Sequence, residues 1–145
     1  MKLLQYSLAI LALLFLCSIA AYSADAIDHG TWKEKRIAAK IDADGVQRAE
    51  MIGGEYYYDP NYIVVKVNIP VELKVKKAAG YIPHNLKANS RDAGIVFSID
   101  IKSDPQTVKF TPTKTAKYPI FCDKSLLWMK SHRERGMEGL IEVVE

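Results

Sequence analysis

Ile63-Val64-Val65-Lys66-Val67-Asn68-Ile69-Pro70-Val71-Glu72-Leu73-Lys74-Val75-Lys76 is the stretch on which the fold turns. Ile63, Val65, Val67 and Ile69 fall on one side of an extended chain. After Pro70 the alternation resumes, with Val71, Leu73 and Val75 opposed by Glu72, Lys74 and Lys76. A period of two with β-branched residues on the apolar side is the pattern of half-buried strands, and the proline marks a break between them.

The same reading extends toward the C-terminus. Ile95, Phe97, Ile99 and Ile101 share a face opposite Ser98, Asp100 and Lys102. Val108 with Phe110, then Tyr118, Ile120 and Cys122, and finally Leu140 to Val144 give further short strands, set apart by Gly, Pro, Asn and Asp clusters. This spacing predicts an all-β sandwich or barrel. One stretch does not alternate: Ser125-Leu126-Leu127-Trp128-Met129-Lys130 contains good helix formers and runs toward Gly136, so a short helix is expected between Cys122 and His132.

Upstream, Lys2 precedes an apolar run from Leu8 to Ala21 that gives way to small residues. Residues 1–23 read as an export signal, with cleavage after Ser23 or as late as Ala26. The run is shorter than the ~20 residues a membrane span prefers, and Leu16 before Cys17 argues against a lipoprotein site. A periplasmic protein with no membrane contact after cleavage is the expectation. Residues 24–45 are polar. Thr31 and Glu34 are spaced as a capping box ahead of Lys33 to Arg36, which predicts a short surface helix or a tail before a domain spanning residues 46–145.

Composition is that of a globular chain, 49% hydrophobic and 26% charged, and a formal charge of +3 dispersed among acids gives no sign of nucleic-acid binding. Without the leader, about 120 residues remain, enough for one core. They contain a single cysteine, Cys122. A lone thiol in an oxidising compartment cannot form an internal disulfide and must be protected in some other way.

Two of the three histidines have informative neighbours. His84 follows Pro83 between two strand patterns, and His132 and Met137 follow the lone cysteine. Taken singly, each has an ordinary reading: a cysteine at a strand end is commonly a small buried hydrophobe, a loop histidine is commonly solvated, and Met137 fits a core. Taken together, two imidazoles, one thiolate and a thioether form the donor set of a mononuclear copper site, whereas zinc and iron–sulfur sites favour more thiolates or a water.

Tyr118-Pro119-Ile120-Phe121-Cys122, preceded by Thr115-Ala116-Lys117, resembles the strand that delivers the copper-binding cysteine in cupredoxins of the plastocyanin and azurin kind. His132 to Gly139, with four residues between His132 and Met137 and a closing strand behind, is similar to the plastocyanin ending. Tyr58-Asp59-Pro60 and Pro83-His84-Asn85 resemble the strand and first-histidine loop of the same family. The likeness runs from about Gly45 to Glu145. It implies a Greek-key β-sandwich holding one Cu(I)/Cu(II) ion through His84, Cys122, His132 and Met137. It also implies that Asn85 ties the two ligand loops together by hydrogen bonding, a residue that could otherwise be a simple turn former.

One departure stands out. Nine residues, Asp123 to Ser131, separate Cys122 from His132, where the family has two to four, and Met129 becomes a second axial candidate.

The resemblance implies one-electron transfer with a transient redox partner. His132 near the surface would be the exit, and Leu126, Leu127 and Trp128 would serve as either a docking patch or core cover for the inserted helix. A monomer is expected. The alternative is a copper-tolerance protein that binds or oxidises copper. If cleavage falls after Ala26, the new terminus Ile27-Asp28-His29 could chelate a second Cu(II). No cysteine-hydrolase signature surrounds Cys122, and catalysis is not expected.

Overall fold

The computed structural model describes residues 33–145. The export signal, the Ile27-Asp28-His29 segment and Thr31 lie outside the described residues. Two sheets form a sandwich.

The first sheet has the order β1 (Arg36–Ala38), β5 (Tyr62–Lys66), β11 (Glu138–Val144), β10 (Ala116–Phe121), β7 (His84–Ser90), β8 (Ile95–Ile101). The second runs β2 (Lys40–Ile41), β3 (Gln47–Gly54), β6 (Val71–Lys77), β9 (Gln106–Phe110), with β4 (Tyr57–Asp59) also on β3. Because β6 runs parallel to Gln47–Gly53 along one edge of β3, β2 and β4 share the opposite edge, at its start and its end.

Alternation decides which side chains enter the core. Val71, Leu73 and Val75 of β6 point inward and are buried, as are Ile63 and Val65 of β5 and Ile95 and Ile101 at the ends of β8. They meet Leu86, Ala88, Ile120, Ile141 and Val143 from the other strands in one cluster that also includes Cys122 and Met137. Sandwich cores are built in this way, from the inner faces of two sheets about 10 Å apart.

Polar residues that enter the core bring partners. Gln47, buried at the start of β3, donates to the carbonyls of Lys66 (2.9 Å) and Ile69 (3.0 Å) and accepts from the Lys66 N–H (2.6 Å). One amide thereby satisfies the turn between β5 and β6. Gly139 permits a close approach of β11 to the segment before β5: a Cβ there would lie 2.3 Å from the Asn61 carbonyl oxygen.

Two expectations are corrected. The polar segment ahead of Val46 is not a helix in its described part, because Arg36–Ala38 pairs in parallel with Tyr62–Val64 and Lys40–Ile41 pairs with Gln47–Arg48. The sandwich therefore begins ten residues before Val46. These strands are only three and two residues long, too short to stand out as a pattern, and pairing to an existing edge is what orders them, with Ile37 half-buried against the core.

The helix expected at Ser125–Lys130 is absent as well. Among the described residues the only helical pieces are the 3-10 turns Arg91–Ala93 and Arg133–Arg135, and no helix is long and apolar enough to cross a membrane. The Lys124 carbonyl accepts from His132 N–H (2.8 Å) and the Leu126 carbonyl from Met129 N–H (3.0 Å), which turns the chain instead of coiling it. Six residues are too few for a helix that has no buried face to pack, and Leu126 to Met129 are all exposed.

Candidate metal centre

The site lies at one end of the sandwich, where β7 begins and the β10–β11 connection closes. His84 is the first residue of β7, paired with Ile101 of β8, and it is buried. Cys122 directly follows β10 and is a buried free thiol. The β10–β11 ladder ends at Phe121↔Glu138, and one step beyond it Cys122 N–H donates to the Met137 carbonyl (3.0 Å). His132 precedes the 3-10 turn Arg133–Arg135, and Gly136, at φ 95°, reverses the chain in a conformation that favours glycine. Met137 N–H then returns to the His132 carbonyl (2.9 Å). Cysteine, second histidine and methionine are thus joined by their own backbone.

The geometry brings three donor atoms to one point. His84 Nδ1 and His132 Nδ1 are 3.0 Å apart, Cys122 Sγ is 3.4 Å from His132 Nδ1, and one donor atom from each residue lies within 4.8 Å of the others. Nitrogen and sulfur donors bind a first-row ion at about 2.0–2.3 Å, which sets neighbouring donors roughly 3–4 Å apart around it. The side chains present fit such an ion. His84 Nε2, by contrast, is buried with no hydrogen-bond partner. Burying an imidazole whose outer nitrogen is unsatisfied is costly, and the inward Nδ1 is what accounts for the ring's position.

Charge follows the same pattern. Burial, then the neighbouring His132 and Lys77, hold the His84 imidazole down to about 4. Burial and then Arg135 lower His132. Both rings are therefore neutral near pH 7, as ligation requires. Burial pushes the Cys122 thiol up, opposed by the Asn85 backbone N–H, which points at Sγ from 3.4 Å. A bound cation would supply the positive charge that stabilises the thiolate.

Asn85 ties the two halves together. Its Nδ2 donates to Asp123 Oδ1 (2.6 Å) and its Oδ1 accepts from Asp123 N–H (3.1 Å), while Tyr58 Oη of β4 donates to its carbonyl (2.6 Å). Lys87 pairs with the other Asp123 oxygen, and that ammonium, followed by Asn85, holds the Asp123 carboxyl below its ordinary value. The residues that directly follow the histidine and the cysteine are locked to each other.

Three further placements complete the site. Met137 is fully buried in the core cluster beside the cysteine, while Met129 is 43% exposed on the loop. His132 is itself buried, with 3% of its surface exposed, where a surface position is expected from sequence. Leu127 and Trp128 stand 75% and 89% exposed, so they are not core cover. A residue without a sequence signal also reaches the site: the Tyr56 ring lies across both imidazoles, 5.0 Å from His132 and 6.2 Å from His84 between centroids.

Neither a protein-family model nor a curated protein sequence matches the chain. Solved structures do. The chain is similar to the metal-binding domain of the Cu(I)-exporting P-type ATPase CopA of Streptococcus pneumoniae D39, solved with Cu(I), at 19% identity over 78% of this chain and 99% of that one, TM-score 0.56. It is similar to auracyanin A, a "blue" copper protein of Chloroflexus aurantiacus, at 16% identity over 69% and 100%, TM-score 0.54. Auracyanin of Roseiflexus castenholzii aligns at 17% identity over 68% and 97%, TM-score 0.53. The fold is the cupredoxin β-sandwich.

Proposed function

We propose that the chain is an exported copper protein that carries single electrons in the periplasm, holding one ion through His84 Nδ1, Cys122 Sγ and His132 Nδ1, with Met137 as a weak fourth contact. The observation that carries this reading is the convergence of those three buried donors on a common centre. One thiolate and two imidazoles select copper over harder ions, and a long thioether contact completes the set. Met137 is preferred to Met129 because it is buried and hydrogen-bonded through its backbone to both Cys122 and His132.

When bound, copper supplies the one-electron couple. The protein's part is to keep the donors still: the Asn85–Asp123 pair and the closed Cys122–Met137 connection resist rearrangement between oxidation states. Burial of all three donors withholds the ion from side chemistry, which suits a carrier and not an enzyme. Residues 1–23 are assigned to export, and the exposed Leu126–Met129 segment to transient docking of the redox partner.

The likeness to the metal-binding domain of a Cu(I) exporter favours copper tolerance as the second reading. One experiment separates the two. The protein is loaded with one equivalent of copper and cycled through reduction and reoxidation, while a gene deletion is scored for copper sensitivity. A carrier retains its copper through repeated cycles and its loss impairs a respiratory or redox pathway; release on reduction, with a copper-sensitive deletion, overturns the carrier reading.

A further inference from the structure

We infer that Tyr56 is the positioning residue of the metal centre: its ring braces both imidazoles and, with Arg135, forms the wall between the ion and the neighbouring cleft. The inference rests on the proposed copper-binding function and assigns to it a residue outside the donor set.

Backbone, ring contacts and position each point to it. Tyr56 is the second residue of the Glu55-Tyr56 turn that joins β3 to β4, where Gly54 pairs with Tyr57. Its φ is 65°, in the left-handed region, where Gly or Asn is the usual occupant of such a turn. A bulky aromatic held there is strained, and strain of this kind persists only where the surroundings enforce it, commonly at functional sites.

The contacts are what the strained turn gains. The Tyr56 ring stands nearly perpendicular to His132 (87°, centroids 5.0 Å) and to His84 (84°, 6.2 Å), within the range of favourable edge-to-face packing. One ring thereby packs against two imidazoles, one at the start of β7 and one in the loop before β11, that lie 48 positions apart in sequence. The Arg135 guanidinium lies over the same ring, its carbon 4.7 Å from the centroid. Ring and guanidinium also border a cleft of about 600 Å³ whose lining includes Tyr57, Asp59 and Gly136 but neither histidine. Tyr56 thus borders the cleft and both imidazoles, with Arg135 against its ring and also on the cleft.

A residue placed in this way has two separable effects. Removing the ring releases the imidazoles to reorient, which alters the ligand field, and opens the cleft to water and chelators, which speeds metal loss. Removing the strain favours the metal-free fold. Tyr56→Asn does both, because Asn tolerates left-handed backbone.

The test uses the purified protein loaded with copper. Visible absorption is recorded for the Cu(II) form, loss of Cu(I) to excess bathocuproine disulfonate is followed by stopped flow, and thermal melting is measured without metal. Tyr56→Asn is expected to release copper at least tenfold faster with a shifted visible band, while its metal-free melting temperature does not fall. Tyr56→Phe, which keeps the ring, retains the wild-type rate and band. Arg135→Gln, which removes only the outer cover and leaves the turn intact, gives a smaller acceleration with the band unchanged. Wild-type release rates and spectra in both Tyr56→Asn and Arg135→Gln overturn the inference even when the wild-type protein shows its copper band. A wild-type protein that takes up no copper fails the underlying function and the inference with it.

Discussion

Asn85 and Asp123 hold each other by two hydrogen bonds, Nδ2 to Oδ1 at 2.6 Å and backbone N–H to Oδ1 at 3.1 Å, and each is the immediate neighbour of a metal-facing residue. The pair ties the start of β7 to the end of β10, where the two strands share a single bridge, Phe121↔Lys87. Where the ladder is this short, side chains set the spacing between His84 and Cys122.

Asn85→Ala removes both bonds and deprives Asp123 Oδ1 and N–H of their partner, while Lys87 stays on Oδ2. The expected cost is about 1–2 kcal/mol of folding stability, with half of the pair still able to reach water, and a 10–100-fold loss of copper affinity, as for other outer-shell partners. Denaturant melts and a competition titration with a chelator check the two figures. An unchanged affinity contradicts the tie.

Gly139→Ala tests the approach of β11 to the chain ahead of β5. The added methyl meets the Asn61 carbonyl oxygen at 2.3 Å, and the obstacle is backbone, which cannot swing aside. A loss of about 1–3 kcal/mol is expected from this overpacking, read as a lower denaturant midpoint with an unchanged slope. Gly136, where a Cβ would touch nothing within 4 Å, is the contrasting position: its positive φ, not space, is what favours glycine there.

The two methionines should part company. Met137→Leu keeps volume and is expected to cost under about 1.5 kcal/mol while shifting the visible spectrum and the reduction potential through loss of the weak thioether contact. Met129→Leu, on the exposed loop, should leave spectrum and potential as they are. Spectroelectrochemistry of both variants decides it, and a response confined to Met129→Leu reverses the assignment.

Metal should stabilise the fold by mass action. The unfolded chain does not hold residues 84, 122 and 132 together, so copper at 100 times its dissociation constant is expected to add about 2.7 kcal/mol to the unfolding free energy. Calorimetry with and without a chelator measures this as a reversible rise in melting temperature. No rise means that the ion binds the folded and unfolded states alike.

Much of this architecture was legible in sequence, and the exceptions have physical causes. Val71 to Lys77 and Ile95 to Ile101 announce themselves because apolar residues recur at every second position along each. His84 to Ser90 hides, since its first two residues are buried and polar: Asn85 is satisfied by partners far along the chain, Asp123 and Cys122, and His84 faces His132. The loop from Asp123 to Ser131 has helix-forming residues but no surface to bury, and its hydrogen bonds close a turn. The donor residues were readable as a set because their chemistry is unusual in combination. Tyr56 was not, because an aromatic in a tight turn carries no local mark of what its ring will touch.

The most direct measurement is the absorption spectrum of the Cu(II)-loaded protein beside that of Cys122→Ser. An intense visible band from sulfur-to-copper charge transfer is expected in the first and none in the second, with one copper bound per chain. A colourless wild-type complex, or a variant that binds copper with the same affinity and the same spectrum, would contradict a centre built on Cys122, His84 and His132.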